Sequence, residues 1–140
     1  MKAYLTRRYR FAAAHRLHAD SMSHEENRAV YGKCNNPHGH GHNYTLEVTV
    51  SGPVDAQTGM VCNLTDLDQA VEKEVLEPFD HQNLNALQPF REHVPTTENL
   101  TLEIFRRLQP HFREARLERV RLEETMLNSF EYAGGAEPRR

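Results

Sequence analysis

Over the first fifteen residues, apolar side chains recur on alternate positions. Leu5, Tyr9, Phe11 and Ala13 share the odd parity, whereas Arg8 and Arg10 take the even one, which predicts a strand from Lys2 to His15 with His15 on its apolar side. The alternation returns from Asn43 to Val50, with Tyr44, Leu46, Val48 and Val50 on one face. His40 and His42 share that parity, so a strand beginning near His40 sends both imidazoles out of one face. Between the two strands, Arg16 to Val30 is polar and has no sustained apolar period, and it is expected to be a long functional loop.

After Val50, Ser51-Gly52-Pro53 breaks the run and Asp55 to Gly59 is turn chemistry, so Met60-Val61-Cys62 is expected to return as a hairpin partner. Leu64, Leu67, Val71 and Val75 repeat at helical spacing and predict a helix from Asn63 to Leu76, capped by Thr65 and ended by Pro78. A second helix starts at Thr96 or Thr97 and carries Leu100, Ile104, Phe105 and Leu108 as its stripe until Pro110. Leu117 to Met126 alternates again, Ser129 to Ala133 is a short last strand, and residues 134–140 read as a frayed tail after a single domain over 1–133. The order gives an α+β fold, a four-stranded antiparallel sheet with two helices on one face. Its open edges predict an oligomer, because joining subunits edge to edge covers them.

In the third alternating run, Val120, Leu122, Glu124 and Met126 share one parity, so Glu124 points the way the apolar residues point. A carboxylate there needs a donor-rich partner. Overall composition narrows the function classes. With a net charge of -3 there is no basic excess to neutralise phosphates, which speaks against nucleic acid as a partner. No apolar run approaches membrane-spanning length and the N-terminus lacks a signal-peptide core, so a cytosolic protein is expected. Of the two cysteines, Cys62 sits in an apolar run as an inert core thiol, whereas Cys34 has Lys33 beside it to favour a thiolate.

Cys34 belongs to the densest chemistry in the chain. Tyr31 to Tyr44 packs one thiol, three histidines and three glycines into fourteen residues, a composition suited to a metal site. Two histidines from one strand are too few for tight zinc, and His15 is the best-placed third ligand. His18 and His24 are read as solvated loop residues. Asp80-His81 is a carboxylate beside an imidazole, a common way to orient a ring and raise its basicity. Thr96, Thr97 and Glu98 fit simple helix capping.

Six segments, in order and over nearly the whole chain, resemble the 6-pyruvoyltetrahydropterin synthase family: Phe11 to Leu17; Gly32 to Pro37 with Gly39 to Tyr44; Thr58 to Val61 with Asn63 to Leu67; Asp80 to Leu84; Thr96 to Asn99; and Glu124-Thr125. The resemblance implies a tunnelling fold whose subunits join their sheets into a barrel, commonly a homohexamer of two stacked trimers with active sites at subunit interfaces. It implies zinc held by His15, His40 and His42, a catalytic thiol at Cys34, and Asp80 and His81 contributed from a neighbouring subunit. Glu124 would anchor the pterin, with Thr96, Thr97 and Glu98 near the ring. The implied reaction is a phosphorus-oxygen lyase step, 7,8-dihydroneopterin triphosphate to 6-pyruvoyltetrahydropterin with loss of triphosphate. Lys33, Arg10 and Arg16 are the cations considered for the triphosphate.

Two departures bear on this. The common Ser of the first segment is Ala12, and His38 creates a second frame, since Cys34 stands four residues before His38 and six before His40. The related 6-carboxytetrahydropterin synthases of the deazapurine pathway use the shorter spacing. The flanking Asn35-Asn36-Pro37 and Gly41-His42-Asn43-Tyr44 favour the longer frame, so His38 is read as a non-ligand. The alternatives are that 6-carboxytetrahydropterin synthase, a non-catalytic zinc-binding module, or a structural oligomeric scaffold.

Overall fold

A computed structural model describes residues 2–135; of the frayed tail expected over residues 134–140, all but the first two residues lie outside the described residues. Two long strands form its spine. β1 (Lys2–His15) and β2 (His40–Pro53) pair antiparallel from end to end, Lys2 opposite Pro53 and His15 opposite His40. The two-residue β3 (Gln82–Asn83) lies parallel to β1 at Ala13 and Ala14. β4 (Arg116–Thr125) pairs with β2 on the opposite side, and β5 (Asn128–Tyr132) pairs with β4, giving the order β3-β1-β2-β4-β5. The antiparallel four-stranded sheet is thus present, extended by a fifth short strand.

The alternation does what the pattern predicts. Phe11, Ala13, Tyr44, Leu46, Val48, Val50, Val120 and Leu122 are all buried, in one core with the apolar stripes of the two main helices. The first of these runs over residues 64–79 and the second is Thr97–Leu108. Asp68 docks the first onto β1: it takes Arg7 Nε at 2.7 Å, a second Arg7 nitrogen at 3.0 Å, and the Tyr9 hydroxyl at 2.6 Å. No helix among the described residues is long and apolar enough to cross a membrane.

The expected loop contains a helix, α1 (His24–Tyr31), which has no apolar stripe to betray it and is held at its start instead. Ser23 accepts the Glu26 N–H at 3.1 Å and Glu26 accepts the Ser23 N–H at 3.3 Å, a reciprocal cap. Buried Asn27 then ties the helix to the loop, bonding Ala19 through both its N–H and its carbonyl. The helix over 64–79, α2, is capped by Asn63 and not by Thr65, because the Asn63 side chain accepts the Thr65 and Asp66 N–H groups. Pro78 does not end it. The turn before it is a π stretch, Glu72–Leu76, in which Glu77 N–H bonds five residues back to Glu72 O. The widened turn relieves the crowding that a proline ring imposes on the carbonyl four residues earlier.

Met60, Val61 and Cys62 do not join the sheet, since β4 occupies the place beside β2. The turn does form, with Gly59 N–H on Asp55 O at 2.8 Å, but it delivers the chain to the Asn63 cap. Met126 lies beyond the end of β4 and is 94% exposed, as is Leu127, so the inward parity stops at Glu124.

Candidate metal and pterin site

His15 ends β1 and His40 begins β2 directly opposite it, while His42 stands opposite Ala13. Period two therefore brings three imidazoles to one end of one sheet face. Their ring centroids lie 4.7 to 4.9 Å apart with planes 76° to 85° to one another, and one ligand nitrogen from each lies within 4.8 Å of the others.

His15 is 1% exposed. Its Nδ1 donates to the Pro95 carbonyl at 2.8 Å, which fixes the tautomer and leaves Nε2 with a free lone pair. That Nε2 and the Nε2 of His42 are buried polar atoms without a hydrogen-bond partner. Such orphans are rare unless something else satisfies them. Burial lowers the pKa of both rings, against the pull of Glu124, and so favours the neutral, ligating form. A set of three nitrogen donors with unshared lone pairs suits zinc far better than calcium or magnesium, which take oxygen.

Gly39 makes the convergence possible. Its φ is +71°, and a Cβ there would meet the His15 carbonyl oxygen at 3.0 Å. At Gly41 the nearest atom would be an ordinary 3.8 Å away, so only the first glycine is sterically required. Gly39→Ala is expected to weaken metal binding by the three histidines at least about tenfold and to cost about 1–2 kcal/mol of stability. Zinc titration and urea unfolding measure the two effects.

Glu124 reaches the same space. On β4 it has no partner in β5, because the register slips between Glu123 and Thr125; it is the extra residue of a bulge, a device that re-aims side chains. The Thr97 hydroxyl donates to its Oε2, and its Oε1 stands 3.5 Å from His42 Nε2. Thr97 is 2% exposed and lies at the start of α3 (Thr97–Leu108). Of the threonine pair only Thr97 points in. Thr96 caps α3, accepting Asn99 N–H at 3.1 Å, and Glu98 is exposed on the first turn.

Cys34 is half-buried on a 3-10 turn, Gly32–Asn35. Burial and the Glu124 carboxylate push its thiol up, opposite to the direction expected from Lys33 beside it. Cys62 is half-buried against the core rather than within it. It lines a cavity of about 610 Å³ between α2 and residues 111–115, whose lining holds none of the predicted site residues. His24 and His38 are exposed, but His18 is not a free loop residue: its Nδ1 lies 3.0 Å from Asn35 Nδ2.

Asp80 and His81 are brought to each other but not to Cys34. Asp80 Oδ1 takes the Ala12 N–H at 2.9 Å and lies 3.0 Å from His81 Nδ1. His81 N–H bonds the Ala12 carbonyl at 2.6 Å, with φ at +59°, a strained value for a non-glycine residue. The pair thus clips to the outer edge of β1. The ring is 81% exposed over a hollow of about 390 Å³ lined by residues 12–14 of β1, 41–43 of β2 and β3, so that His42 borders it as well. Among the described residues, no hydrogen bond or ion pair joins Asp80 or His81 to Cys34, the three histidines or Glu124.

Two contributors went unread in the sequence. Tyr44 is fully buried, with its hydroxyl 3.4 Å from His15 Nδ1, and it shares the parity of His40 and His42, which was signal enough. The Pro95 carbonyl is a backbone group and leaves no trace in residue type.

Comparison with known proteins points the same way. The model of the 6-pyruvoyl tetrahydropterin synthase family matches residues 4–135. A 6-pyruvoyl tetrahydrobiopterin synthase of Poecilia reticulata is 48% identical over 132 residues, covering 94% of this chain and 90% of that protein. The human protein of that name is 45% identical over 134 residues, covering 95% and 92%. The solved structure of Caenorhabditis elegans 6-pyruvoyl tetrahydropterin synthase superposes with a TM-score of 0.92 at 39% identity, over 96% of this chain and 97% of that one.

Proposed function

Since the chain belongs to the 6-pyruvoyl tetrahydropterin synthase family and is an enzyme of that lyase class, we propose that it converts 7,8-dihydroneopterin triphosphate to 6-pyruvoyltetrahydropterin, releasing triphosphate, with zinc as its metal. The observation that carries the reading is the pair of buried, unpartnered Nε2 atoms of His15 and His42, gathered with His40 beside a carboxylate held by Thr97.

His15, His40 and His42 would hold the zinc. When bound, it would supply positive charge that stabilises negative charge developing on the substrate side chain and favours the Cys34 thiolate. Glu124, with one oxygen taken by Thr97, keeps the other to accept from the guanidine-like N–H edge of the pterin. Thr97 fixes that carboxylate; Thr96 supports it by capping α3, and Glu98 flanks the ring from the first turn. Cys34 removes a carbon-bound proton of the side chain, and His81, oriented by Asp80, relays protons. The reaction is assigned to the cytosol, where a reducing pool keeps Cys34 a thiol.

His81 of one chain serves the site of another, in a homohexamer of two trimers. Three features support this: the His81 ring is 81% exposed, β3 covers β1 only at Ala13 and Ala14, and Met126 and Leu127 project from the hairpin beside Glu124. Mixing Cys34→Ala with His81→Ala subunits, each inactive alone, is expected to restore about a quarter of wild-type activity, the share of random interfaces with both groups intact. No recovery after subunit exchange would place both groups in one chain.

The substrate assignment is tested by incubating zinc-loaded protein with 7,8-dihydroneopterin triphosphate under anaerobic conditions and identifying products by mass spectrometry. A 6-pyruvoyl product with free triphosphate is expected. A 6-carboxy product with acetaldehyde would replace the assigned product, and absence of turnover would leave a zinc-binding module.

A further inference from the structure

Cys34 sits in a stretch with little burial of its own: Gly32 and Lys33 are exposed and Cys34 is only half-buried. The residue that fixes this turn is Asn35, 6% exposed. Its Nδ2 donates to the Leu17 carbonyl at 2.7 Å, while Leu17 N–H donates to the Cys34 carbonyl at 2.8 Å. Residues 34 and 35 therefore grip both backbone groups of Leu17. The Asn35 carbonyl also accepts from Arg16 Nε at 3.2 Å.

Arg16 is gripped in the same manner from the other side. Asn85 Oδ1 takes its N–H at 2.7 Å, and Asn85 Nδ2 donates to its carbonyl at 2.8 Å. Residues 16 and 17 belong to no strand or helix, yet both have their backbone groups bonded, three of the four by side-chain amides and the Leu17 N–H by the Cys34 carbonyl. They follow directly on His15. The route from a metal-binding imidazole to the thiol is thus two residues and one pair of opposed hydrogen bonds.

We propose that Asn35 is a positioning residue, whose side-chain amide sets the distance between the Cys34 thiol and the three-histidine site without itself touching substrate. The inference rests on the assignment of Cys34 as the base. An amide is required because the partner is a carbonyl: a donor must face the Leu17 oxygen, and a carboxylate there would repel it. A misplacement of about 1 Å at a reacting group costs about a hundredfold in rate.

The test uses zinc-loaded full-length protein in a Cys62→Ser background, so that Cys34 is the single thiol, with Asn35→Ala and the isosteric Asn35→Asp. Expected are a fall in kcat of about 30- to 100-fold, KM within about threefold, unchanged zinc content, and a rate of Cys34 alkylation by iodoacetamide altered at least about threefold. The alkylation rate separates positioning from bulk stability, because a merely structural role leaves it unchanged in the folded fraction. The proposal is overturned by wild-type kcat in either folded variant, or by a lowered kcat with the parent's alkylation rate. Failure of both variants to fold, judged by circular dichroism, would also overturn it by assigning Asn35 to folding. If the parent turns over no pterin, the substrate assignment fails, and the alkylation comparison still decides the role of Asn35.

Discussion

Replacing Cys34 by alanine is expected to lower kcat by about 10²- to 10⁴-fold, the range of a lost general base, with zinc content and thermal midpoint unchanged. The thiol is half-buried and, among the described residues, no hydrogen bond to its sulfur ties it into the structure, so the substitution opens no large cavity and leaves no partner unsatisfied. Cys34→Ser keeps the shape but installs a far weaker acid, and it should lose nearly as much. Cys62→Ala is the control: its sulfur lies on the 610 Å³ cavity away from the histidines, and turnover should be retained. Steady-state kinetics on the three variants separates these outcomes. Full turnover in Cys34→Ala would remove the thiol from the chemistry and return the protein to a binding role.

Chelation of the metal should abolish turnover while leaving the chain folded, with the thermal midpoint lower by roughly 5–10 °C and both effects reversed by zinc. The core explains why the fold survives. Leu46, Val48, Val50, Leu67, Val71, Ile104 and Leu122 pack together independently of the three imidazoles. The drop in midpoint reflects binding energy present only in the native state, together with the two Nε2 atoms that then lack any partner. Protons compete with the metal for these lone pairs. Because burial holds the His15 and His42 pKa values below the ordinary histidine value, the unfolded chain takes up protons first, so acid below the ordinary value erodes both stability and metal retention. Differential scanning calorimetry of apo and zinc-loaded protein measures the shift. Complete unfolding on chelation would instead mark a structural metal.

The long strands were legible because burial on one face imposes period two, and the same period puts His40, His42 and Glu124 on the inner side. His15 was legible as the odd-parity end of β1. What escaped followed other physics. α1 is stabilised by a reciprocal cap and by buried Asn27, and an apolar period has nothing to report there. Pro78 misled because a proline ordinarily stops a helix, whereas here one turn is widened to admit it. Met60 to Cys62 looked like a returning strand because local turn chemistry cannot show that a distant segment, β4, claims the place beside β2. The Asp80-His81 pair was visible as a dipeptide, but its location on the far edge of β1 depends on two bonds to Ala12 that no residue pattern announces.

The end-to-end pairing of β1 with β2 also limits how the gene can vary in length. One codon gained or lost between His40 and Val50 would turn every later side chain of β2 over, exchanging Leu46 and Val48 for Thr45, Glu47 and Thr49 on the core face or parting the histidines from it. Two codons would restore the facing but shift the row that His15 shares with His40. Insertions and deletions among descendants of this sequence should therefore collect in residues 19–31 and 54–60, outside the sheet, and the eleven codons from His40 to Val50 should keep a constant count.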